Sequence, residues 1–325
     1  MVLENVAIFL ASLLAINKAA DVATDALSLI SQRMGITKAA LGIILVAVFS
    51  GMPELLVSTL ASLQGKPEIS WGNVVGSNMA SIAIKLGIAA SFGALSFRKR
   101  LAIRDGVFLF TVTLAATAFM LDGNIARAEG IVLMMMFIPY VINVWDEERG
   151  IADSERKESI KESMINLELL GGMGPKIRTR HIFAAFVIGM SIMFIGGYAL
   201  VSSAIKIASD IGISEAVIGL TIVAIGTSVP DIAAAYSAAK KGLGNLLVGS
   251  IIGANIFTTL ITLGVSAFIS PINVDVETVV ENTIGMCIIT TLFVIAIVNN
   301  NKISRKAGFI ILLSYVGVLV FQLFF

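Results

Sequence analysis

GITKAALGIILVAVFSGMPELLVSTLASLQGKPEISWGNVVGSNMASIAIKLGIAAS runs from Gly35 to Ser91, and GISEAVIGLTIVAIGTSVPDIAAAYSAAKKGLGNLLVGSIIGANIFTTLITLGVSAF runs from Gly212 to Phe268. The second stretch lies on the first at an offset of 177 residues, without a gap over 57 positions, and 16 of those positions are identical. The identities include Gly42/Gly219, Pro53/Pro230, Gly72/Gly249, Gly76/Gly253, Asn78/Asn255 and Gly87/Gly264, while Glu54 falls on Asp231 and Ser50 on Thr227. Because the matches fall on glycine, proline and asparagine as well as on common apolar residues, the chain reads as one unit written twice.

The solvent of that unit is the bilayer. The 325 residues are 57% hydrophobic and 14% charged, with a mean hydropathy of +0.94; a soluble globular chain carries about 25% charged residues. A span needs about 20 apolar residues, and ten segments qualify: 4–31, 38–63, 71–95, 105–121, 126–145, 181–207, 215–239, 245–270, 278–298 and 307–324. The repeat carries the first five onto the second five. Five is odd, so the halves enter the membrane from opposite sides, a build frequent among secondary transporters. The expected fold is therefore an all-α membrane protein of ten transmembrane helices in two inverted-topology five-helix repeats, 1–145 and 181–325, joined by a polar linker at 146–180.

With ten spans, eighteen of the 23 Lys and Arg collect on one side and three on the other, with Lys18 and Lys85 inside spans. The positive-inside rule makes the basic side cytoplasmic and puts both termini outside. The N-terminus lacks a basic leader and reads as the first span. Trp71 and Trp145, at predicted span ends, read as interfacial anchors. A net charge of +1 argues for no nucleic-acid partner. The single Cys287 permits no internal disulfide, and the single His181 permits no multi-histidine metal site. No phosphate-binding G-x-x-x-x-G-K-[ST] loop, nucleophile–histidine pair or GxGD motif is present, so neither ATP-driven transport, an intramembrane enzyme nor a bound cofactor is expected.

FSGMPELLVS, Phe49 to Ser58, puts Pro53 and Glu54 side by side in the middle of a span. Proline removes a backbone N–H and releases the carbonyl four residues earlier. In a membrane that carbonyl must find another partner. Freed carbonyls beside a carboxylate make an oxygen-rich pocket of the kind hard cations such as Ca²⁺ take. Thr227, Ser228, Pro230 and Asp231 supply the same group in the second half. Intramembrane acids are functional by default. In the next span, Gly72/Gly76 and Gly249/Gly253 are spaced for close helix packing. Asn78 and Asn255 are expected to hydrogen-bond across to the broken helices, and Ser77, Ser81 and Thr258 to offer neutral oxygens. A channel needs a continuous polar path, which the spans do not offer beyond this cluster.

At these residues the chain resembles the calcium/cation antiporter superfamily, and within it the prokaryotic sodium/calcium exchangers, over nearly its whole length. GTSVPD and GSIIGANIF of the second half carry the pattern G-T-S-[LV]-P-[ED] … G-N/S-x-x-G-[SA]-N-I-F. The resemblance implies a prokaryotic plasma-membrane antiporter of inorganic cations, Ca²⁺ against Na⁺ or H⁺. It implies Glu54 and Asp231 as Ca²⁺ ligands with the carbonyls of Ser50 and Thr227, and Ser77 and Ser228 as hydroxyl ligands for Na⁺. Several positions depart from the pattern. Gly51 lacks a hydroxyl, Asp231 is one methylene shorter than the usual Glu, Ala254 replaces a serine, and Ser81 and Thr258 stand where Asn, Asp or Glu are common. Lys85, whose repeat partner is Thr262, either takes a cation position of the site or is a lysine that snorkels outward or pairs structurally. These departures leave an H⁺-coupled or other divalent-cation exchanger as the competing expectation.

Overall fold

The computed structural model describes residues 2–33, 48, 50–92, 95–97, 99–149, 179–240, 244–299 and 302–324. The first half of the expected second span and most of the 146–180 linker lie outside the described residues. The chain begins with α1 (Val2–Arg33), followed by α2 (Met52–Leu63) and α3 (Pro67–Phe92). Then come β1 (Leu95–Ser96), α4 (Lys99–Met120), β2 (Asn124–Ile125) and α5 (Arg127–Arg149). The second half opens with α6 (Thr179–Ile211) and α7 (Glu215–Ile218), which runs through a π-helical turn at Gly219–Val223 into α8 (Ala224–Thr227). After α9 (Val229–Lys240), α10 (Gly244–Phe257) passes through a second π turn, Thr258–Thr262, into α11 (Leu263–Ile269). β3 (Ile272–Asn273), α12 (Val276–Asn299), β4 (Lys302–Ile303) and α13 (Arg305–Phe324) complete the chain.

Six described helices are long and apolar enough to cross a bilayer, and Met52–Leu63 and Glu215–Thr227 are shorter apolar pieces. The short pieces end where the sequence demands. Pro53 occupies the first turn of α2, where its missing N–H costs nothing, and Gly51 caps it. One turn residue, Ser228, separates α8 from α9, again just ahead of a proline.

The innermost helices are α3 and α10. Every residue from Ile69 to Ala83 is buried, and so is every residue from Ile251 to Leu260. A helix apolar all round belongs in a core. One hydrophobic cluster joins these two helices to α4, α12 and α13 through Val75, Met79, Val112, Leu260 and Phe293. A second joins α1, α2 and α6 through Ile16, Val57, Leu60 and Val201. Trp71 belongs to the first cluster. It is wholly buried, with its indole N–H 3.3 Å from Met120 Sδ, so it is a core residue and not the interfacial anchor its place at a span end suggests. The Trp145 side chain lies outside the described residues.

Pairings between elements come in matched sets. α1 lies along α6, and α4 along α12; α13 packs on α3 as α5 packs on α11. β1 pairs with β4, Leu95 opposite Ile303, and β2 pairs with β3, Ile125 opposite Ile272. Moving β1 by the 177-residue offset gives β3, and moving β2 lands beside β4. Beyond the helices, Lys66 and Glu215 form an ion pair at 2.7 Å that ties the turn before α3 to the start of α7. The hydrogen bond to Glu215 raises the Lys66 pKa above the ordinary lysine value.

The crossing of α3 over the α7–α8 segment is tight. A β-carbon on Gly72 would strike the Ala216 carbonyl, and one on Gly76 would strike the Leu220 carbonyl. Gly249, the repeat counterpart of Gly72, has open space around it. Gly72→Ala is therefore expected to destabilise the protein by about 1–3 kcal/mol through overpacking. Gly249→Ala is expected to be neutral or stabilising by up to about 1 kcal/mol through better helix propensity. Thermal unfolding midpoints in one detergent check the contrast; equal shifts would refute it.

Candidate cation site

The two proline breaks meet directly, through Glu54 of one and Ser228 of the other. Glu54, in the first turn of α2, keeps 4% of its surface exposed. Its Oε1 accepts a hydrogen bond from Ser228 Oγ at 3.2 Å, while Oε2 is buried and has no hydrogen-bond partner. Ser50 Oγ, four residues earlier, is likewise buried without a partner. A buried carboxylate oxygen without a donor is costly unless a cation meets it. Four residues after Gly226, Pro230 has no N–H to return, and Gly226 O accepts instead from Asn17 Nδ2 of α1 at 3.4 Å. The freed carbonyl expected at the second break is thus bonded sideways to another helix.

Asp231 has a different environment. Its Oδ2 accepts from Lys85 Nζ, and its side chain retains 17% exposure while that of Lys85 is completely buried. Lys85 therefore does not snorkel outward. The two acids, equivalent in the repeat, are met unequally, one by a neutral hydroxyl and one by an ammonium.

Asn78 and Asn255 do not reach the broken helices. Asn78 Nδ2 donates to Thr259 Oγ1 at 2.8 Å and lies 3.7 Å from Met286 Sδ. Asn255 Nδ2 donates to Ile251 O at 2.7 Å and to Ser81 Oγ at 3.4 Å. These amides tie α3 and α10 to each other. The expected reach is corrected by geometry, because each is held by the other buried helix before it can meet a break. Ser77 Oγ donates back to Val74 O at 3.2 Å, a common intrahelical habit of hydroxyls. Thr258 is buried, and its Oγ1 lies 3.4 Å from where a β-carbon on Gly51 would stand, with the Phe257 ring closer still.

The residue that does reach both breaks is Asn73, which sequence reasoning passed over. Its Nδ2 donates to Ser58 Oγ at 2.9 Å and to Glu54 O at 3.3 Å, and its Oδ1 accepts from Thr227 Oγ1 at 3.2 Å. The signal was present as the N of G-N-x-x-G-S-N, but its repeat partner is Ser250, so a comparison of identities does not mark it. Asn17 of the first span was missed as well. Ser228–Glu54, Thr227–Asn73, Lys85–Asp231, Asn78–Thr259 and Asn255–Ser81 all join one half of the chain to the other. Among the described residues no three acids, histidines or cysteines gather into a metal cluster. A cation held here would rest on two carboxylates and on hydroxyl and carbonyl oxygens.

The sequence matches the family model described as sodium/calcium exchanger protein over residues 4–145 and 181–324. A putative antiporter, CaxA, of Alkalimonas amylolytica is 30% identical over 89% of this chain and 89% of its own. The sodium/calcium exchanger MaX1 of Methanosarcina acetivorans is 28% identical over 98% and 99%. Among solved structures, the sodium-calcium exchanger NCX_Mj superposes with a TM-score of 0.61 at 25% identity, covering 98% of this chain and 99% of that one. The H⁺/Ca²⁺ exchanger CAX superposes with a TM-score of 0.79 at 17% identity, covering 97% and 82%, a likeness of fold.

Asn73→Leu removes the amide that holds Glu54, Ser58 and Thr227 together. Affinity for a divalent cation, measured by calorimetric titration, is expected to fall roughly 10- to 100-fold, as for lost outer partners of metal ligands. Asn78→Leu, away from both breaks, is expected to cost less. The opposite ranking would remove Asn73 from the site.

Proposed function

The chain belongs to the sodium/calcium exchanger protein family, and from that premise we propose that it is a secondary antiporter exchanging Ca²⁺ for Na⁺ at a midplane site built on its two proline breaks. The observation that carries this reading is the unpartnered Oε2 of Glu54, buried beside a helix break and facing Ser228 of the other half. In this reading Glu54 and Asp231 ligate the divalent ion with the carbonyls of Ser50 and Thr227. Ser77 and Ser228 serve Na⁺, with Ser81 and Thr258 as further neutral oxygens. The unequal exposure of Glu54 and Asp231 fits a centre open to one side at a time.

Ten spans in two inverted repeats, 1–145 and 181–325, go with this function. The matched pairings of α3 with α13 and α11 with α5, and of the two small ladders, support that arrangement. The protein lies in a prokaryotic plasma membrane with both termini outside and the 146–180 linker in the cytoplasm, following the side on which Lys and Arg collect. α1 and α6, packed along one another, are the helices that slide past the core in this reading, as the family resemblance implies.

One observation favours a second reading. Lys85 neutralises Asp231, which lowers the negative charge available to a divalent ion and to its counter-ions. An H⁺-coupled exchanger, or one for another divalent ion, keeps the same fold and site.

The deciding measurement is Ca²⁺ uptake into proteoliposomes loaded with Na⁺ and diluted into Na⁺-free buffer. Uptake is expected to require the Na⁺ gradient. Glu54→Gln is expected to reduce it by more than about 100-fold, since breaking a buried charge pairing typically costs 3–5 kcal/mol. Uptake driven by a pH gradient alone would select the second reading, and uptake untouched by Glu54→Gln would refute the site.

A further inference from the structure

Lys85 is one of the largest side chains in the molecule with no exposed surface. Removing an ammonium from water costs several kcal/mol even after relaxation, and pairing repays this only with good geometry. The fold has no evident need of it. Its repeat counterpart in α11–α10 is Thr262, also buried, and the neighbours Ala83, Leu86 and Ala89 are ordinary core residues. The lysine is placed, moreover, to reach one particular carboxylate. It lies two helical turns after Asn78, on the same face of α3, and side chains on a helix lean toward its N-terminus. That lean carries Nζ back toward the level of the asparagine turn and across to Asp231, on the far side of the second proline break.

The partner matters as much as the lysine. A structural ion pair can form anywhere in a core, but Asp231 is the repeat equivalent of Glu54. The ammonium therefore rests on one of the two acids that give the site its charge. With Glu54 and Asp231 ionised the centre carries two negative charges; with Lys85 bound it carries one. At short range in a medium of low dielectric, charges of this size dominate which ions can coexist there.

We infer that Lys85 is a tethered cation that takes the place of one monovalent coupling ion at Asp231, leaving Glu54 as the one uncompensated acid of the transport cycle. This rests on the exchange reading given above and deepens it. The ammonium is compact, carries a single charge and donates to oxygen, as a coordinated monovalent ion is held by oxygen, but it is fixed to α3 and cannot leave. For any given net charge of the monovalent-loaded site, one fewer ion is then carried per cycle. The divalent ion meets a site in which it must share Asp231 with the lysine or displace it.

The test uses the full-length protein in proteoliposomes, with whichever of a Na⁺ or pH gradient drives wild-type Ca²⁺ uptake. The number of coupling ions per Ca²⁺ is read from the reversal of flux against imposed voltage and from the Hill coefficient of the monovalent ion. Lys85→Thr copies the residue at position 262, Lys85→Met keeps apolar volume without charge, and Lys85→Arg keeps the charge. The neutral variants are expected to couple one more monovalent ion per Ca²⁺, raising the Hill coefficient by about one as the site's fixed charge becomes more negative. Lys85→Arg is expected to retain the wild-type ion count whatever its rate. Equal ion counts in wild type and the neutral variants would overturn the proposal. So would failure of both neutral variants to fold while Lys85→Arg folds, since the pair would then be structural. A wild type that moves no Ca²⁺ under either gradient would instead bring down the exchange reading, and this inference with it.

Discussion

A charge inside hydrocarbon has to be met by another charge or by well-aimed dipoles, and the centre of this molecule is organised by that requirement. Glu54 and Asp231 enter the interior directly after prolines that interrupt their own helices. Glu54 finds the Ser228 hydroxyl and Asp231 finds the Lys85 ammonium, each from the opposite half of the chain. Apolar contacts alone give little preference for one helix arrangement in lipid, which is as apolar as leucine. Polar links across the halves supply that preference. They also explain the crowding at Gly72 and Gly76, because α3 must lie close against the α7–α8 segment for Asn73 to touch Glu54 and Thr227 at once.

Much of this was legible from residues whose chemistry is conspicuous in a membrane. Apolar length placed the ends of most long described helices to within a few residues; α3 starts at Pro67 instead of 71 because proline is well suited to a first helical turn. Pro53 and Pro230 announced the breaks, and Glu54, Asp231 and Lys85 announced themselves by cost. The rest was hidden because it depends on direction. Asn78 and Asn255 are polar groups in buried helices, and nothing in their spacing says whether they turn toward a break or toward each other. Asn73 and Asn17 are single amides whose importance lies in which carbonyl they meet, Glu54 O at 3.3 Å and Gly226 O at 3.4 Å. Trp71 lies near a span end in sequence, yet α3 is so enclosed that its end is core.

The repeat builds a nearly symmetric frame around an unsymmetric centre. The frame elements exchange under the offset: ladders with ladders, α3–α13 with α11–α5. The central residues do not. Asn73 answers to Ser250, Ser77 to Ala254, Lys85 to Thr262, and crowded Gly72 to open Gly249. In the proposed exchange cycle, a frame with matched halves would give an inward-facing and an outward-facing arrangement of similar energy. In that cycle the centre would be under no such obligation, since it would bind one set of ions in both. Several differences between the halves thus lie at the proposed site, while crowded Gly72 against open Gly249 shows that packing differs between them as well.

Two departures in that centre are better understood as one. Asp231 is a methylene shorter than the glutamate that faces it from the first half, and Lys85 brings a long side chain into a position where the second half has threonine. A glutamate at 231 would carry its carboxylate one methylene further from the backbone. A short acid with no lysine opposite would leave its charge to be met by a mobile cation, as the proposed exchange supplies. Together the two residues form an ion pair that joins the halves of the chain. Gly51 follows the same logic, since the Phe257 ring and Thr258 Oγ1 occupy the room a side chain there would need. Oxygens and charge subtracted from one half of the site are thus matched by groups projected from the other, and Glu54, with its unpartnered oxygen, is where that matching stops.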